Sequence, residues 1–170
     1  HWRRWLGVES RCLVPFTSFS ELDGRPGAPR NHPVWFALGA DRPLAFFAGI
    51  HTEWTSVRKL KEGEVTTELF GFLTCPPNQE VSPVHPKAMP VILTTPEEWR
   101  HWLTAPSADA LNLQRPFLNH VSWNGNWRCP DRMKIQFLPE LALLPLDVRV
   151  AQPRLLQQPK QVALHRSHQE

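Results

Sequence analysis

Two ionisable residues stand at the ends of apolar segments, and together they could move protons near neutral pH. Glu21 closes the alternating run Thr17-Ser18-Phe19-Ser20-Glu21-Leu22. A carboxyl in apolar surroundings resists ionisation, so its pKa rises and it can trade protons near neutrality. His85 lies in Ser82-Pro83-Val84-His85-Pro86-Lys87-Ala88-Met89-Pro90-Val91-Ile92-Leu93. An imidazole titrates in that range without help. Pro86 fixes its own φ and biases the preceding residue toward extended backbone, which predicts a stiff, non-helical corner for His85. If the two side chains converge on one pocket they form an acid–base pair. Spacing alone cannot show that, because 64 positions separate them. Each also fits a plain surface role: a solvated acid before a turn, and a loop histidine.

The elements that position them read as mostly β. Arg11-Cys12-Leu13-Val14-Pro15-Phe16 is a short strand, and Thr17 to Leu22 continues it with alternation. Asp23-Gly24-Arg25-Pro26-Gly27-Ala28-Pro29 is turn chemistry. Val34 to Leu38 and Leu44 to Ile50 are strands, with Gly39-Ala40-Asp41 as a hairpin-like turn between them. The second of these strands reads as buried on both faces. Val65 to Thr74 and Val91 to Leu93 complete the strand set. Thr94 or Thr95 caps a helix that starts at Pro96, with Glu97 and Glu98 in its first turn and Trp99, Trp102 and Leu103 on one face. Ser107 is expected to cap a second short helix reaching Leu113.

Composition narrows the class. The chain has 170 residues, eight tryptophans, no tyrosine and a net charge of +3. Residues 1–116 carry as many acids as bases, and residues 117–170 supply the whole excess, with 7 Lys+Arg against 4 Asp+Glu. The basic pI therefore does not argue by itself that the body binds nucleic acid. Cys12, Cys75 and Cys129 have no metal-ligand spacing and do not suggest a disulfide framework. No metal or cofactor is expected, and a reduced, cytoplasmic setting is the default. No apolar run is long enough to span a membrane. His1-Trp2-Arg3-Arg4-Trp5 has no preceding methionine and reads as the interior of a longer protein. The apolar setting of Trp35, Phe46, Phe47 and Trp54 favours core packing over base stacking. Trp2 and Trp5, spaced by Arg3-Arg4, better fit a nucleic-acid face or a helix end.

Four blocks, in order, carry a resemblance. Arg11-Cys12-Leu13-Val14-Pro15 with Ser18-Phe19-Ser20-Glu21 is similar to the RCL-x-P…G-[FW]-[YF]-E-W segment of the SRAP family, the SOS response-associated peptidases or abasic-site processing proteins. Pro43-Leu44-Ala45-Phe46-Phe47-Ala48-Gly49-Ile50 with Trp54 resembles its F-A-G-[LI] strand. Phe70-Gly71-Phe72-Leu73-Thr74 resembles its F-T-I-[LI]-T strand. Val84-His85 with Met89-Pro90-Val91-Ile92-Leu93 resembles its I-H-x-R-M-P-V-[IL]-L box. The resemblance spans residues 1–116. The expected fold is a β-rich α+β domain with a curved, partly barrel-like sheet and a few short helices. Residues 117–170 are expected to form an irregular tail.

The resemblance implies abasic-site processing in single-stranded DNA by covalent crosslinking, with autopeptidase and lyase activity. It implies a role in the SOS and DNA-damage response, and association with the nucleoid during damage. In the family an N-terminal cysteine attacks the sugar aldehyde with its α-amine and closes a thiazolidine ring with its thiol. By match, Glu21 and His85 are the catalytic proton carriers. Lys87, Arg11, Arg3 and Arg4 are the expected DNA contacts. A monomer is expected. The chain departs from the pattern in four places. It lacks the N-terminal cysteine and the upstream N-x-R segment, has Leu22 in place of the tryptophan after the glutamate, and reads H-P-K-A-M-P in its histidine box, one residue longer. As it stands, the sequence is therefore expected not to form the stable crosslink. The alternative is a non-catalytic single-strand binder or a decayed fragment.

Overall fold

The computed structural model describes residues 2–57 and 59–118 and the backbone of 122–123. The expectation of an irregular tail falls, apart from these few positions, outside the described residues. Among the described residues the chain is mixed and β-rich, with several sheets, two short α-helices and no closed barrel. Its strands there are β1 (Arg11–Phe16), β2 (Phe19–Leu22), β3 (Pro33–Ala37), β4 (Ala45–Val57), β5 (Glu64–Phe72), β6 (Thr74–Cys75), β7 (Met89–Pro90), β8 (Ile92–Leu93) and β9 (Ser122–Trp123). One sheet runs β1-β4-β5 with β8 also on β4, a second runs β2-β3-β9, and β6 pairs β7. These pairings are antiparallel.

Alternation along β1 and β4 gives the first sheet two apolar faces. Val14 pairs with Phe47 and Phe16 with Ala45, placing Val14, Phe16 and Phe47 on one side. There Phe16 stacks on Phe47 at 4.0 Å, and Phe19 of β2 meets both rings edge-on. Phe19 also stacks on Phe36 of β3, so this aromatic layer joins the two sheets. The opposite side carries Leu13, Phe46 and Ala48 and is covered by helix α1 (Pro96–Thr104). Gly49 is required where β1 crosses β4: a Cβ there would lie 2.8 Å from both Cys12 Sγ and Val14 Cγ2.

Helix α1 begins as the sequence predicts. Thr95 accepts from the Glu98 N–H, and the Glu98 carboxylate accepts from the Thr95 N–H, closing a capping box behind Pro96. Trp102 is 1% exposed, and its indole N–H is shared between the Cys12 and Gly49 carbonyls. The short helix α2 (Ser107–Ala110) differs from expectation. Pro106 holds the cap position, and the Ser107 hydroxyl donates instead to the Leu6 carbonyl at 2.9 Å.

Two further expectations are corrected. Gly39-Ala40-Asp41 does not close a hairpin, because β3 and β4 belong to different sheets. The chain turns there but crosses between layers. Trp54 is not core: β4 runs on past Ile50, beyond the aromatic layer, and Trp54 is 43% exposed. Phe46 and Phe47 are buried as expected, and Trp35 is half-buried.

Candidate acid–base site

The register of β2 decides where Glu21 points. Phe19 pairs with Phe36 and Glu21 with Val34, so Glu21 shares the inward face with Phe19. Ser20 and Leu22 take the other face, and Leu22 is exposed. Glu21 is the last inward residue of the strand, placed beside buried Val34 with its outer edge wet.

His85 is delivered by a separate device. Asn78 starts a helical turn in which the Ser82 N–H donates to the Asn78 carbonyl and the His85 N–H donates to the Val81 carbonyl at 2.8 Å. The Asn78 side chain accepts from the Val81 N–H and donates to the Phe117 carbonyl. Buried Val81 and Val84 anchor this turn on one side of His85, and buried Ala88 and Met89 anchor the chain on the other. The segment entering His85 is thus a closed turn, and His85 itself stands just past its end, outside any helix.

The two side chains meet. His85 Nδ1 lies 3.8 Å from Glu21 Oε2, with side chains 26% and 23% exposed respectively. Burial pushes the Glu21 carboxyl up to about 7. A carboxyl poised there can donate or accept a proton at neutral pH, with an imidazole beside it. A second histidine–carboxylate contact, His51 Nδ1 to Glu68 at 3.4 Å, differs in setting because the Glu68 side chain is 76% exposed. It has the character of a surface pair.

The remaining predicted residues separate. Lys87 is exposed two positions beyond His85. Arg3 and Arg4 are exposed on the short 3-10 turn Trp2–Trp5. The Arg4 guanidinium sits 4.5 Å over the Trp5 ring, and Trp5 meets Trp54 edge-on at 6.3 Å. Trp54 lies opposite Thr67 in β5, on the sheet face turned away from the Phe47 and Phe72 layer. Arg11 is corrected: it is not a surface contact. It is 1% exposed and donates to the carbonyls of Leu6, Trp102 and Ala105. Those last two carbonyls end helix α1, where a buried cation is favoured by the helix dipole.

Neither described cysteine is presented to solvent. Cys12 and Cys75 are buried, and burial pushes their thiols up to about 12 and about 11. Among the described residues no group of three or more His, Cys, Asp and Glu could hold a metal ion. The sequence reading placed Trp54 in the core, although the polar residues His51-Thr52-Glu53 and Thr55-Ser56 flank it, and it read Asp23-Gly24-Arg25 as a turn alone.

No curated protein matches the chain. The sequence profile of the SOS response associated peptidase (SRAP) family matches it over residues 1–126, past the 116 boundary and through the β9 strand that completes the second sheet. With that match spanning most of the chain, the protein belongs to the SRAP family, whose members are tied to the SOS and DNA-damage response.

Proposed function

We propose that this chain contributes the proton-transfer site of an abasic-site processing protein acting on single-stranded DNA. The observation that carries the reading is the meeting of Glu21 and His85 at 3.8 Å on a partly wet edge of the core. Opening an abasic sugar and forming an imine with its aldehyde both require protons to be delivered and removed at oxygen and nitrogen. A protonated Glu21 supplies a proton to a sugar oxygen, and the ionised form recovers one. His85 does the complementary step. Lys87 offers a point charge for a phosphate next to the site. The amine–thiol nucleophile is that of the family's N-terminal cysteine, since the buried Cys12 and Cys75 thiols cannot serve. Action as a monomer in the cytoplasm, at the nucleoid during damage, completes the reading.

The test uses the protein with its native N-terminus and an oligonucleotide carrying one abasic site, followed on a denaturing gel. A retarded, heat-stable band is expected. Glu21→Gln and His85→Ala should each slow its formation or reversal on the order of 100-fold. Wild-type rates in both variants would refute the assignment.

A second reading, single-strand binding without chemistry, is favoured by one feature. Exposed Trp54 beside Trp5, with the Arg4 guanidinium over the Trp5 ring, presents aromatic and cationic groups together. It predicts retention of an undamaged oligonucleotide without crosslinking by the 170-residue chain.

A further inference from the structure

Glu21 and His85 come from segments that a backbone contact ties together. The Gly24 N–H donates to the Val84 carbonyl at 2.8 Å, linking the loop after β2 to the turn that ends in His85. Gly24 is three residues from Glu21, and Val84 adjoins His85. The approach is close: a Cβ on Gly24 would lie 3.0 Å from the Val84 oxygen. Val84 is 4% exposed and has little room to retreat.

The residues flanking Gly24 are themselves locked. The Asp23 N–H donates to the His32 carbonyl at 2.8 Å. The Asp23 carboxylate, 3% exposed, accepts two hydrogen bonds from the Arg25 guanidinium, at 2.8 and 2.6 Å, and one from the Arg25 backbone N–H. This fork is a rigid geometry for arginine and carboxylate. The hydrogen bonds from Arg25 pull the Asp23 carboxyl down to about 2, so the bracket stays ionised while Glu21 titrates near 7. His32 also lies close enough to the Asp23 carboxyl to add to that lowering.

We propose that Gly24 is a positioning residue, setting the spacing between the Glu21 carboxyl and the His85 imidazole through its contact with Val84, with Asp23 and Arg25 holding the loop in place. The inference rests on the reading of Glu21 and His85 as a working pair. At 3.8 Å the pair is already near the outer limit of a direct ion contact. Displacement of the Val84 carbonyl by a few tenths of an ångström would separate the side chains. Glycine serves here for the space it leaves and not for an unusual φ.

The test reads the pair without DNA. In the 170-residue chain, the His85 ring signal is followed by NMR at pH 8, above the Glu21 value of about 7, and assigned by its loss in His85→Gln. Glu21→Gln is expected to shift that signal, because it removes a charged carboxylate 3.8 Å from Nδ1. In a Gly24→Val background the same Glu21→Gln change is expected to leave the signal unmoved. Gly24→Ala should give a partial loss, and it carries the test if Gly24→Val does not fold. An undiminished effect of Glu21→Gln in the Gly24 variants would overturn the bracket and leave the pair standing. No effect of Glu21→Gln in the wild-type background would overturn both.

Discussion

The Glu21 carboxyl should destabilise the fold as pH rises, the reverse of the usual contribution of an acidic residue. Its folded pKa of about 7 lies above the unfolded value of 4.5. Between these values the folded chain holds more protons than the unfolded chain, so unfolding free energy falls as pH increases. Below about 4.5 the penalty is absent, and above about 7 it is complete. Moving the carboxyl from 4.5 to about 7 corresponds to about 3 kcal/mol. With the side chain 23% exposed, solvent reaches one edge, and this figure is an upper bound. Glu21→Gln keeps the shape and removes the ionisation. The variant should exceed wild type by less than about 1 kcal/mol near pH 5 and by up to about 3 kcal/mol at pH 8, the latter roughly 10 °C in melting temperature for a fold of this size. Urea titrations of both proteins at half-unit steps from pH 5 to 8 measure the difference directly, and subtraction removes the other carboxyls. The Asp23 carboxyl, held at about 2, is silent across that window. A difference that is flat with pH, or that grows toward acid, would refute the argument. It would mean that Glu21 is solvated, or that its attraction to protonated His85 outweighs its desolvation. A stabilised variant that has lost abasic-site chemistry would show a site held at the expense of the fold.

Arg11→Met should cost about 3 kcal/mol, because it strands the Leu6, Trp102 and Ala105 carbonyls in the core. Arg11→Lys should recover less than half of that, since an ammonium lacks the fork that reaches all three. Urea midpoints measure both, and a loss under about 0.5 kcal/mol for Arg11→Met, on the scale of an ordinary surface change, would contradict the structural role. Cys12 and Cys75 should react with a thiol reagent at pH 8 at least about 100-fold more slowly in the folded chain than in urea, given thiols pushed to about 12 and about 11. Peptide mapping reads this, and equal labelling in the two conditions would contradict the burial. Trp54→Ala should leave the melting temperature within about 2 °C yet weaken binding of an undamaged single-stranded oligonucleotide about tenfold. Unchanged anisotropy titrations would remove Trp54 from the DNA-facing surface.

What the sequence made legible was local. Thr95-Pro96-Glu97-Glu98 announces the start of α1 because a capping box is complete within four residues. The runs at Arg11–Phe16 and Ala45–Ile50 announce strands because side chains on both faces are apolar. Partnership between strands is not local, and there the reading failed. Gly39-Ala40-Asp41 encodes a reversal, but nothing in it chooses which sheet receives the next strand. β4 goes to β1, and β3 to β2 and β9. Trp54 fails for a different reason: the apolar run ends at Ile50, and the polar residues His51-Thr52-Glu53 and Thr55-Ser56 around Trp54 already mark a strand that has left the core.

Arg11 and the pair Glu21–His85 mark the same boundary from opposite sides. The family resemblance assigns Arg11 to DNA. Its true partners, the last carbonyls of α1, arrive about ninety residues later. Glu21 and His85 carry only weak signatures separately. Their joint meaning rests on a strand register that turns Glu21 inward, a helical turn that presents His85, and a glycine whose missing side chain lets the two segments touch. In the sequence that glycine is one of several turn formers between Asp23 and Pro29. Gly27, three positions on, has a positive φ, and a Cβ added there would meet nothing within 4 Å, so it is a turn former in the ordinary sense. Gly24 has an occupied space beside it. The distinction between a glycine kept for its backbone and one kept for its neighbour exists only in three dimensions, and here it falls on the residue that joins the two halves of the site.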